Sequence, residues 1–120
     1  MPYSEFRVIK DYTKHSEEKQ FFIEKAKEIA DIIKAMPDLY EQDGKGENAI
    51  VSLHYFAPSF DTYILEINRN DPSDAFGLTI SHDSAVELGY VNINELKKYS
   101  VELDLYFVPK TVGEIRQAVK

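Results

Sequence analysis

Between Ser16 and Met36 the apolar residues Phe22, Ala26, Ile29, Ile33 and Met36 recur at helical spacing, and at Pro37 that rhythm stops. Phe21, Ala30 and Ile32 widen the stripe enough to cover one face of a helix. Ser16 is placed to cap it, and Glu17 and Glu18 sit in the first turn, where the helix dipole favours anions. Pro37 disfavours helical geometry at the residue before it, so the helix is expected over about 17–36.

Beyond Pro37 the period drops towards two. After a polar, glycine-containing hinge, "DLYEQDGKGEN", come "AIVSLHYFAP" and "DTYILEINR", both rich in β-branched and aromatic residues. In the second run Tyr63, Leu65 and Ile67 alternate with Ile64, Glu66 and Asn68, which predicts one apolar face and one mixed face. "NRNDPSD" reads as a turn. "AFGLTIS" and "VELGYVNI" follow as strands joined by "HDSA", with Gly77 and Gly89 marking bulges or close backbone approaches.

"NINELKKY" predicts one helical turn capped by Asn92 or Asn94, and "LDLYFVP" a last strand ended by Pro109. Thr111 and Glu114 have the spacing of a capping box, hence a short helix over about 112–119. Residues 3–10, "YSEFRVIK", fit a short edge strand. One helix followed by hairpin-ordered strands predicts a single α+β domain. Its largely antiparallel sheet of four to five strands, over about 49–108, is packed by the long helix.

At 120 residues the chain fits one core. It has no cysteine, which excludes disulfides and thiolate chemistry and suits a reducing cytoplasm. Neither a secretory leader nor a membrane span is expected. The net charge of −7 is concentrated: Ser59 to Leu96 holds one cation, Arg69, against Asp61, Glu66, Asp71, Asp74, Asp83, Glu87 and Glu95. Such a block repels phosphate backbones and attracts cations, so a basic protein partner is expected and direct nucleic-acid binding is not. The acidic face is assigned to Asp61, Glu66, Asp71, Asp74, Asp83 and Glu87. Homo-oligomerisation is compatible with the sequence, as is the use of some sheet aromatics, Tyr90 and Tyr106 among them, to line an interface.

Catalytic and metal motifs are thin. His82, Asp83 and Glu87, joined by His54, are candidate metal ligands, but no HExxH-like pair accompanies them. "NRNDPSD" gathers oxygen donors without the bidentate Glu of a calcium loop. Ser52 and His54, with Asp61 or Glu66 behind, are a triad in outline, but no nucleophile elbow accompanies them. "DGKGEN" is not a P-loop, and no cofactor is expected.

"LHYFAP" at 53–58, "ILEINRNDPSDAFGL" at 64–78, "ELGYVNINEL" at 87–96 and "DLYFVPKT" at 104–111 carry a likeness in order and spacing. Through them residues 53–111 resemble the bacterial family called domain of unknown function 2958. That family commonly has a Gly-rich segment before its Glu-Leu-Gly strand; here "TISHDSA" stands in its place. The resemblance implies a small bacterial protein of the kind often encoded by plasmids, conjugative elements and phages, and supplies no catalytic residues. Two functions are therefore expected in competition. One is a small acidic binding protein of a mobile element or phage that blocks a basic or nucleic-acid-binding surface of a host defence protein. The other is a small enzyme or ligand-binding domain with a pocket between helix and sheet, using His54 and His82.

Overall fold

The computed structural model describes residues 16–83 and 85–118. Helix α1 spans Ser16–Ala35 and ends just before Pro37, as the proline dictates. The candidate edge strand at 3–10 lies outside the described residues.

Strands β1 (Ile50–Val51), β2 (Leu53–Phe56), β3 (Phe60–Ile67), β4 (Asp74–Ser81) and β5 (Val86–Asn92) follow in hairpin order. A helical turn, α2 (Ile93–Leu96), comes next, with the Asn92 side chain accepting the Glu95 amide. Then come β6 (Glu102–Leu103), β7 (Lys110–Thr111) and α3 (Val112–Ala118). The main sheet has five strands in the order β5-β4-β3-β2-β6, with every pair antiparallel, and β1 pairs with β7 separately. The α+β expectation holds.

Two strand expectations change. "AIVSLHYFAP" is not one strand, because Ser52 breaks it and lets β1 leave the main sheet for β7. "LDLYFVP" is not one either: after Leu103 the chain turns, with Asp104 accepting the Tyr106 amide, and pairing resumes only beyond Pro109. The capping box at α3 forms as expected, since Glu114 accepts the Thr111 amide and Thr111 Oγ1 accepts the Glu114 amide.

The sheet is covered on both faces. On one face Ile29 of α1 and Met36, just past its end, pack with Leu53, Tyr55, Ile64, Ile67, Ala75, Ile93 and Leu103. On the other, Val51, Tyr63, Leu65, Leu78 and Ile80 pack with Val112 and Ile115 of α3. Burial of each Val, Leu, Ile or Met side chain among them contributes about 1.5–3 kcal/mol before entropy is counted.

A β-bulge decides what β3 presents. Ile64 pairs with Gly77 and Glu66 with Phe76, so Leu65 is the extra residue. Strict alternation would put Glu66 beside Ile64, under α1. The bulge instead gives that face to Ile67 and turns Glu66 towards the α3 side. Gly77 is required here, because a Cβ would stand 2.5 Å from the Tyr63 carbonyl oxygen.

Candidate functional site

Glu66 is a structural residue. It is 4% exposed, and its two carboxylate oxygens accept the amides of Tyr40 (2.9 Å) and Gln42 (2.8 Å). It thereby fixes the loop after α1, in which Tyr40 takes a left-handed φ of 73° that would otherwise be disfavoured. Gln42 is buried beside it, donating to the Ile50 and Leu65 carbonyls and accepting the Ile50 amide. Glu66 therefore belongs neither to an acidic face nor to a triad. A polar residue in mid-strand resembles a solvent-facing one in sequence, and only the bulge and the loop above it reveal the difference.

Asp61 is also engaged. On the α3 face, His54 Nε2 lies 2.8 Å from one Asp61 oxygen and His82 Nε2 lies 3.2 Å from the other. His54 Nδ1 lies 3.0 Å from Asp104, and its ring stacks on Tyr63 with centroids 4.5 Å apart. The result is a chain, Asp104–His54–Asp61–His82, that ties β2, β3, the β4–β5 turn and the segment after β6 together. Desolvation, followed by the charges of Asp61 and Asp104, holds the Tyr63 phenol above its ordinary range. The triad's Asp61 is in place, but the ring nitrogens of His54 address carboxylates and not Ser52.

A recess of about 350 Å³ opens beside this chain, lined by His54, Tyr63, Asp104, Phe107, Lys110 and Glu114. It lies between the sheet and α3, on the face away from the long helix, and so is not the pocket expected between that helix and the sheet. Among the described residues no group of three or more His, Asp or Glu is arranged to hold a metal ion.

The other acids separate along the sheet. Asp71 sits in the β3–β4 turn, where its carboxylate accepts the Ser73 hydroxyl and amide, bonds that draw its pKa below the ordinary value. Asp74 accepts from Asn68 in the same turn. Asp83 lies in the β4–β5 turn, at the far end of an eight-residue strand, about 25 Å away. Glu87 is exposed on β5 itself. The expected single acidic face is thus corrected. Glu66 is internal, Asp61 is bonded to histidines, Asp71 and Asp74 lie at one end of the β4–β5 hairpin, Asp83 lies at the other, and Glu87 lies on β5.

That hairpin carries a feature of which the sequence singled out only Tyr90. Val86, Leu88 and Tyr90 share a face of β5, and there they remain 46%, 57% and 62% exposed. Such alternation normally marks a core face, but β5 is outermost in the sheet, where α3 does not cover it. Val86 and Leu88 instead line a groove of about 600 Å³ with buried Leu65, Leu78 and Val112. Asp43, Glu47 and Arg116 stand at its border. At one end the Tyr90 hydroxyl meets that of Tyr40 at 2.7 Å, and the Tyr90 ring packs edge-on against Phe76.

The backbone of β5 is half used. The Ser81 amide donates to Ala85 and the Ile93 amide to Ser73, bracketing the ladder with β4. Antiparallel alternation between those bonds turns Glu87, Gly89 and Val91 towards β4 and the N–H and C=O groups of Val86, Leu88 and Tyr90 outward. Among the described residues β5 has no strand on its outer side. No helix among them is long and apolar enough to cross a membrane.

Set beside known proteins, the chain matches no family model, no curated protein and no solved structure.

Proposed function

We propose that this chain is a non-enzymatic binding module that docks on a basic protein partner through its β4–β5 hairpin. The observation that carries the reading is the exposure of Val86, Leu88 and Tyr90 beside a groove with an apolar floor. An apolar stripe with a polar border is the usual composition of a protein contact surface. The charge supports a basic partner. From Asn70 to Leu96 the chain holds Asp71, Asp74, Asp83, Glu87 and Glu95 and no lysine or arginine. Opposite charge steers encounter and rejects partners that are themselves acidic. The resemblance to a family often encoded by plasmids, conjugative elements and phages suits a host protein in this role, its basic nucleic-acid-binding surface covered by occupancy.

The test is a photocrosslinking residue placed at position 88, with the same residue at exposed Lys27 of α1 as reference. The reading expects an adduct with a basic protein from position 88 alone. Identical adducts from both positions, or none from position 88, contradict it.

A second reading, a small-ligand site at His54, draws on the recess lined by His54, Tyr63 and Lys110. It is the weaker one, because Asp61 and Asp104 already occupy the ring nitrogens on which proton transfer would depend.

A further inference from the structure

Gly89 is the residue the fold does not explain. A glycine inside a strand loses more conformational freedom on folding than any other residue and leaves nothing to pack. Its partner across the ladder, Gly77, is forced by the Tyr63 carbonyl, whereas a Cβ on Gly89 would meet nothing within 4 Å. Nor does Gly89 adopt a left-handed φ. The missing side chain instead leaves a shallow recess of about 230 Å³ on the α1 side of the sheet, lined by Gly77, Thr79, Glu87, Gly89, Tyr90 and Val91. Glu87 provides a carboxylate on that lining.

We propose that the outer edge of β5 takes an extended basic segment of a partner protein as an added strand. One lysine or arginine of that segment lies over Gly89 beside Glu87. The inference rests on the binding reading above and specifies its partner. The outward N–H and C=O groups of Val86, Leu88 and Tyr90 supply the hydrogen bonds of strand addition, which are indifferent to sequence. Specificity then comes from alternate side chains, since residues opposite one another across a ladder share a face. Those opposite Leu88 meet the apolar groove, and those opposite Glu87 and Gly89 meet the carboxylate and the recess. The fitting segment alternates apolar and cationic residues. A second copy of this chain fits poorly, because two β5 edges laid together bring Glu87 and the other acids of both hairpins into proximity.

The experiment uses the full chain and two labelled peptides with the seven-residue length of β5, one alternating valine and lysine, the other valine and glutamate. Fluorescence anisotropy at low and high salt is read for the wild type, Gly89→Val and Glu87→Gln, with a thermal melt of each. The valine–lysine peptide is expected to bind in a salt-sensitive manner and the valine–glutamate peptide not to bind. Gly89→Val should weaken binding about tenfold or more, while its Tm equals or exceeds that of the wild type. Glu87→Gln should weaken binding with no change in Tm. Failure of the valine–lysine peptide to bind, equal binding of the two peptides, or unaltered binding by Gly89→Val overturns the proposal. So does a dimer that forms through β5 and excludes the peptide. A Leu88 crosslink to a basic protein that persists when the peptides fail leaves the binding reading standing and removes only the added strand.

Discussion

Gly77 and Gly89 stand directly opposite each other in the β4–β5 ladder, and the surroundings of their absent Cβ atoms differ completely. At Gly77 a methyl group would press on the Tyr63 carbonyl oxygen, part of the bulged strand, which cannot withdraw as a flexible side chain would. At Gly89 the space is open. Gly77→Ala is therefore expected to destabilise by about 1–3 kcal/mol through overpacking. Gly89→Ala should stabilise by about 0.5–1 kcal/mol. Chemical denaturation of the two variants checks the opposite signs.

The Glu66 carboxylate secures two loop amides. Glu66→Ala leaves the buried Gln42 amide and the half-buried Tyr40 amide without acceptors and is expected to cost about 2–4 kcal/mol. Glu66→Gln, which retains an acceptor oxygen, should lose roughly half as much. A surface acid would lose almost nothing, so urea midpoints separate the two roles.

Asp61 and Asp104 act on the same imidazole from opposite sides. Replacing either by Asn weakens one of two bonds that together fix the His54 ring against Tyr63. The double variant Asp61→Asn/Asp104→Asn should therefore depart from additivity by about 0.5 kcal/mol or more. A double-mutant cycle measures this, and strict additivity would mean that His54 is not their common link.

Stability is expected to fall off on both sides of neutrality for identifiable reasons. The Tyr63 phenol is raised by desolvation and by Asp61 and Asp104, so its folded value lies above its unfolded one. Its contribution is complete below the ordinary phenol pKa of about 10 and is lost as pH rises through the folded value. On the acid side, hydrogen bonds from the Thr111 amide and hydroxyl lower Glu114. That contribution is present above the ordinary carboxylate value and is lost as pH falls through the depressed one. Tyr63→Phe should flatten the alkaline limb of a Tm-versus-pH curve and Glu114→Gln the acid limb, each leaving the opposite limb unchanged.

The elements that sequence reading located well are those whose signals are local. The α1 stripe and Pro37, the Asn92 cap and the Thr111–Glu114 box each depend on residues within a turn of one another, and each lies where its pattern places it. The errors share one cause, which is dependence on distant backbone. The bulge at Leu65 changes which face Glu66 and Ile67 occupy, and no residue of "YILEIN" announces it. Asp104, absent from the candidate residues, meets His54 because β6 pairs with β2. Val86, Leu88 and Tyr90 alternate as a core-facing strand does, and only the position of β5 at the margin of the sheet leaves them uncovered.

Strand addition requires the outer edge of β5 to be unpaired in the free protein, and residue-resolved amide hydrogen exchange measures that directly. Glu87, Gly89 and Val91 should be protected by their bonds to β4, while Leu88 and Tyr90 exchange at close to unprotected rates. Protection of Leu88 and Tyr90 equal to that of Gly89 would show the edge already covered, and a basic strand would have no place to add.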